Sequence, residues 1–101
     1  MKDIIKNREN IRLRVLLFMY ESTSNIVPFP FIEKEEIATG ISDILFKTKN
    51  GEAEIDFAIE YLIDKGYIIR ERRRSDGLPS HAFCLTANGI DIAEKLLKGD
   101  K

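Results

Sequence analysis

E-Y-L-I-D-K-G-Y-I-I, residues 60–69, changes its periodicity in the middle. Upstream of Gly66, Ile55, Ala58, Ile59, Leu62 and Ile63 recur at helical spacing and predict an amphipathic helix from about Glu52 to Lys65. Gly66 stands where a left-handed residue closes such a helix. Downstream, Tyr67-Ile68-Ile69-Arg70-Glu71-Arg72-Arg73-Arg74 reads as a strand that becomes charged as it leaves the core. Ser75 to Ser80 supplies a turn with Asp76-Gly77 at its tip, and His81, Phe83 and Leu85 alternate as the inward face of a returning strand.

Working outward from this hairpin, Thr86 is placed to cap a last helix that carries Ile90, Ala93 and Leu97 on one face, with Ile92 and Leu96 beside it. Toward the amino terminus, K-T-K-N-G at residues 47–51 is a turn. The helix before it starts near Glu33, with acids in its first turn where they suit the dipole. Its apolar stripe is Ile37, Ile41, Ile44 and Leu45, and Gly40 leaves open whether it is one helix or two. Ser22-Thr23-Ser24-Asn25 is a turn signal, and Pro28 and Pro30 prevent regular helix or central strand, so Ile26–Ile32 is an edge strand or an extended linker. The first helix is expected over Glu9–Glu21. Ile11, Val15, Phe18 and Met19 form its core stripe, while Leu13, Leu17 and Tyr20 form a second stripe on the other side. That second stripe either packs under other elements of the domain or pairs two subunits.

A length of 101 residues suits one domain, 1–101, with its core at about 9–98. The 44% hydrophobic and 33% charged residues match a soluble globular chain. No apolar run approaches the roughly 18–20 residues of a membrane helix, and Met1-Lys2-Asp3 opens no secretory signal, so a cytoplasmic location is expected. The formal net charge of −1 hides a segregation. Residues 1–20 carry +3, residues 21–46 carry −4, residues 52–66 carry −4 and residues 67–81 carry +2. Charge arranged in blocks leaves room for an anionic partner.

The order is helix, extended segment, helix, helix, hairpin, helix: an α+β, mainly α chain. With E-E-I-A at 35–38, E-Y-L-I-D-K-G-Y-I-I at 60–69 and C-L-T-A-N-G at 84–89, it resembles the winged helix-turn-helix domains of small prokaryotic transcription regulators of the MarR and PadR kind. The likeness spans about residues 9–98, and its most specific parts are L-I-D-K-G-Y-I and L-T-x-x-G. It implies three helices, a β-hairpin wing and a C-terminal helix. It also implies double-stranded DNA as partner, with the third helix in the major groove and the wing on the backbone or minor groove.

Residue chemistry supports half of that implication. Arg70, Arg72, Arg73 and Arg74 put several guanidiniums on one hairpin, and guanidinium suits phosphate geometry. Lys47 and Lys49, just before the third helix, can add backbone contacts. The third helix, however, should turn Ala53, Glu54, Phe57, Glu60, Tyr61 and Asp64 outward. Groove-reading helices offer Arg, Lys, Asn, Gln, Ser or Thr, and carboxylates facing phosphates repel them. Phe57 and Tyr61 at i, i+4 instead suit an apolar protein partner, or tuck under the 26–32 segment.

Other chemistry is sparse. One histidine (His81) and one cysteine (Cys84) cannot build a zinc site or a disulfide, and three residues apart on a strand they face opposite ways. Glycine-rich phosphate loops and H-E-x-x-H, G-x-S-x-G or C-x-x-C motifs are lacking, so neither an enzyme nor a cofactor is expected. The expectation is a DNA-binding regulator that grips the backbone through its wing. It would pair into a homodimer through Leu13, Leu17 and Tyr20 of the first helix with Ile92 and Leu96 of the last. The alternative is a protein-docking module that uses the acidic, aromatic face around Phe57 and Tyr61.

Overall fold

The computed structural model describes the backbone of residues 2–23, 30–75 and 78–99, and the side chains of 5–23, 30–71 and 81–99. In chain order the elements are α1 (Lys2–Thr23), β1 (Ile32–Glu33), α2 (Lys34–Gly40), α3 (Ser42–Phe46), α4 (Gly51–Asp64), β2 (Ile68–Ser75), β3 (Leu78–Leu85) and α5 (Ala87–Leu97). The helices surround one small antiparallel sheet of order β1-β3-β2, an α+β, mainly α architecture.

The first helix is longer than its sequence pattern at both ends. Its extra amino-terminal turns are tied down from outside. Asn7 Nδ2 donates to Thr48 Oγ1 at 3.2 Å, and Arg8 Nε pairs with Glu54 at 3.0 Å. At the other end Thr23 is buried, so packing overrides the turn preference of Ser22-Thr23. Ser24, Asn25 and the Ile26–Phe29 part of the expected extended segment lie outside the described residues, while Ile32–Glu33 does pair as a short edge strand.

Ile11, Val15, Leu16 and Met19 of α1 meet Ile37, Ile41, Ile55, Ala58, Ile59, Leu62, Ile68, Phe83, Leu85 and Ala93 in one core cluster. Phe18, expected in the core stripe, is only partly buried, and its ring lies against α2. A Cβ on Gly40 would stand 2.2 Å from that ring, which explains the glycine. The helix breaks at the next residue, Ile41, so the expected single or double helix is two, and the expected third helix is α4.

The two most specific strings of the sequence meet each other. Gly66 takes φ +78°, its N–H reaching the Ile63 carbonyl at 2.9 Å and the Tyr67 N–H reaching Leu62 at 3.0 Å, a left-handed closure of α4. Thr86 Oγ1 accepts from the Gly89 N–H at 3.1 Å, capping α5, and donates to the Gly66 carbonyl at 2.6 Å. A Cβ on Gly89 would lie 2.1 Å from the Tyr67 carbonyl oxygen, so only glycine lets α5 start there. This joint fixes the root of the hairpin against both α4 and α5.

Two sequence expectations need correction. The returning strand does not simply alternate: Ala82, Phe83, Cys84 and Leu85 are all buried, while His81 is exposed. β3 is the central strand, and its inner half is covered on both faces. Leu97, expected on the core stripe of α5, is 53% exposed because the last turn runs past the core.

Candidate nucleic-acid interface and its acidic neighbour

β2 and β3 pair over their whole length, from Ile68 with Leu85 to Ser75 with Leu78. β1 pairs with β3 only at Phe83 and Ala82. Beyond Glu71 and Ala82 the sheet is therefore, among the described residues, a two-stranded ribbon, Arg72 paired with His81, Arg73 with Ser80 and Arg74 with Pro79. At about 3.3 Å per residue this arm runs roughly 13 Å past the third strand. Pleating puts positions 70, 72 and 74 on one face and 71 and 73 on the other. The side chains of Arg72, Arg73 and Arg74, and the expected Asp76-Gly77 turn, lie outside the described residues.

Arg70, at the root of the arm, is already engaged. Its guanidinium forms an ion pair with Glu60 of α4 and lies over the Phe83 ring, 5.8 Å from the centroid. Lys47 and Lys49 are exposed on the link before α4 and make no ion pair among the described residues. Lys49 borders a recess of about 290 Å³ with Asn7, Arg8, Thr48, Asn50 and Glu54. Asn50 holds a left-handed conformation (φ 59°) that asparagine tolerates, turning the chain into α4.

The outward face of α4 is acidic and aromatic, as its sequence requires, but it is not bare. Arg8 of α1 reaches Glu54 through Nε at 3.0 and 3.2 Å. The same guanidinium stands 4.6 Å from the centroid of Phe57, which is 47% exposed. One turn along, Arg12 lies 4.0 Å from the centroid of Tyr61, with Lys65 at 5.6 Å. On the other flank Lys34 of α2 pairs with Asp56 at 2.6 Å. Glu54, Asp56 and Glu60 are thus each balanced by a cation from a different element. Arg8 and Arg12 carried no role in the sequence reading. Their i, i+4 spacing, equal to that of Phe57 and Tyr61, is the signal that could have paired the two helices.

Four of the seven residues expected at a protein interface, Leu13, Tyr61, Ile92 and Leu96, line one groove of about 400 Å³ between α1, α4 and α5. Buried Leu16 and Leu62 form part of its wall, and Arg12 and Glu9 border it. Leu17 and Tyr20 are instead packed against the core, and Phe57 lies outside the groove lining. The Tyr20 hydroxyl donates to Glu94 Oε2 at 2.8 Å, linking α1 to α5; this bond is the main cause holding the phenol pKa above its ordinary value. Arg14 binds Asp43 of α3 through two bonds of 3.0 and 2.6 Å, which hold the Asp43 carboxyl below the usual carboxylate range. Phe46, the last residue of α3, is 89% exposed.

Cys84 is buried, and burial, with the charge of Glu71 adding to it, pushes its thiol pKa up. With His81 exposed, the two form no nucleophile and base pair. Among the described residues there is no cluster of His, Cys, Asp and Glu able to hold a metal, and no helix long and apolar enough to cross a membrane. Comparison with family models, curated proteins and solved structures returned no match.

Proposed function

We propose that the chain is a winged helix-turn-helix DNA-binding regulator that holds the duplex backbone through its hairpin. On this reading α2 to α4 are the helix-turn-helix, β2–β3 is the wing, and Arg72, Arg73 and Arg74 supply the phosphate contacts, with Lys47 and Lys49 beside them. The observation that carries it is the two-stranded ribbon beyond Glu71 and Ala82, which bears three successive arginine positions on an arm with no third strand among the described residues. The strand order β1-β3-β2 and the helix order before it support the winged-helix assignment. The acids on α4 disfavour base reading by that helix, so binding is weakly sequence-selective. The regulator works in the cytoplasm as a homodimer joined along the groove of Leu13, Ile92 and Leu96.

The test is binding to random-sequence duplex at low and moderate salt. Binding that weakens with salt, and weakens further on all sequences alike in an Arg72→Ala, Arg73→Ala double variant, is the expected result. A folded protein that binds no duplex even at low salt contradicts it. A monomeric mass at micromolar concentration contradicts the homodimer.

One observation favours a second reading, a protein-docking module. Arg8 on Phe57 and Arg12 on Tyr61 form stacked arginine–aromatic pairs on an accessible helix face, the residue types that dominate interface energies. Retention of a protein partner that is lost in Phe57→Ala, in a chain that binds no DNA, would establish it.

A further inference from the structure

Arg70 is the only hairpin arginine whose side-chain surroundings are described, and what surrounds it is a carboxylate. We propose that Glu60 is an internal competitor for DNA phosphate: it occupies Arg70, so that the backbone must displace a carboxylate before the root of the wing can bind. The proposal rests on the reading of the hairpin as the DNA-contacting element.

The geometry is specific. Glu60 stands on the outward side of α4, and Arg70 stands opposite Phe83 in the ladder, its guanidinium braced over that ring. The pleat puts positions 72 and 74 on the same face of the ribbon as position 70, so position 70 begins a row of three arginine positions along that face. At its root that row meets Glu60, with the Lys34–Asp56 pair also lining the recess there, together with His81 and Phe83. A carboxylate and a phosphate oxygen present the same acceptor chemistry to guanidinium, so the two exchange for one another. The pair is exposed on both sides, 39% for Arg70 and 57% for Glu60, and exposed pairs are weak enough to be exchanged. Glu60 therefore lowers affinity for every sequence alike. Asp64 lies on the same face of α4 one turn on and holds no cation among the described residues, which makes it the natural control.

The experiment is an anisotropy titration of the full chain with random-sequence duplex at about 50 and about 200 mM salt. It compares the parent with Glu60→Gln, Asp64→Asn, Arg70→Gln and the Glu60→Gln, Arg70→Gln double variant, each checked by thermal melting. Glu60→Gln is expected to bind about two- to fivefold tighter, the scale of an exposed ion pair. Its salt slope should steepen by about 0.9, one more phosphate neutralised. Asp64→Asn removes the same charge without releasing an arginine and should gain less. In the Arg70→Gln background the Glu60 substitution should do no more than Asp64→Asn. Equal gains from Glu60→Gln and Asp64→Asn, or a full gain in the absence of Arg70, overturn the proposal and leave duplex binding by the parent standing. Failure of both the parent and Glu60→Gln to bind at the lower salt overturns the DNA reading and this proposal together.

Discussion

The hairpin and the outward face of α4 adjoin at one ion pair, yet they are built in opposite ways. The arm carries three successive arginines in sequence, Arg72 to Arg74, on a segment that pairs two strands beyond Ala82 among the described residues. The α4 face gathers acids, and each of Glu54, Asp56 and Glu60 is matched by a cation reaching in from α1, α2 or β2. A run of like charge on a two-stranded arm is costly to leave without a counterion, which suits a polyanion. A face whose charges are already paired gains little from such a partner. On the proposed reading the fold thus divides into an arm for phosphate and a helix face whose acids are satisfied within the chain.

The joint that carries both regions offers the largest effect. Gly89→Ala drives a methyl into the Tyr67 carbonyl and should cost about 2–3 kcal/mol in denaturant unfolding, loosening hairpin and α4 alike. A near-neutral result would mean that the regions do not share that support. Next comes the Arg72→Ala, Arg73→Ala pair, which should leave stability unchanged but weaken duplex binding by about 1–2 kcal/mol, roughly five- to thirtyfold. Phe57→Ala, outside the dimer groove, should do the reverse. Loss of its contact with Arg8 should cost about 1 kcal/mol of stability without weakening DNA binding. A Phe57 variant that lost DNA affinity would break the contrast between the two regions.

The smallest effect concerns Asp43. Its pKa is lowered in the fold, chiefly by the hydrogen bonds from Arg14, so its contribution to stability is present above the ordinary carboxylate pKa of about 4 and is lost as pH falls through its lower folded value. Asp43→Asn should therefore make stability slightly less dependent on pH below about 4, and nowhere else. An unchanged acid limb in a pH series of melting curves would contradict this.

Local chemistry made the fold readable. Gly66, Thr86 and Gly89 are each dictated by a backbone position, a left-handed closure, a cap and a close approach, and such constraints leave their mark on short strings. The period change at 60–69 located the hairpin for the same reason. The extra turns of α1 were not legible, because they are held by Thr48 and Glu54, more than 40 residues away. The burial of Ala82 and Cys84 was hidden likewise, since it depends on β3 taking the centre of the sheet. For the site, residue type disclosed the basic hairpin and the acidic helix. That Arg8, Lys34 and Arg70 neutralise that helix is a property of packing between elements and has no local pattern.

Whether the hairpin grips phosphate is decided by the salt dependence of binding to a random duplex, read by anisotropy on the intact chain. Binding should be measurable at low salt, and the logarithm of its constant should fall linearly with the logarithm of salt, by about 0.9 for each phosphate neutralised. The Arg72→Ala, Arg73→Ala variant should lower that slope by about 2 per subunit if each arginine meets one phosphate. Absence of binding at low salt, or a slope indifferent to those arginines, would contradict a phosphate grip by the hairpin.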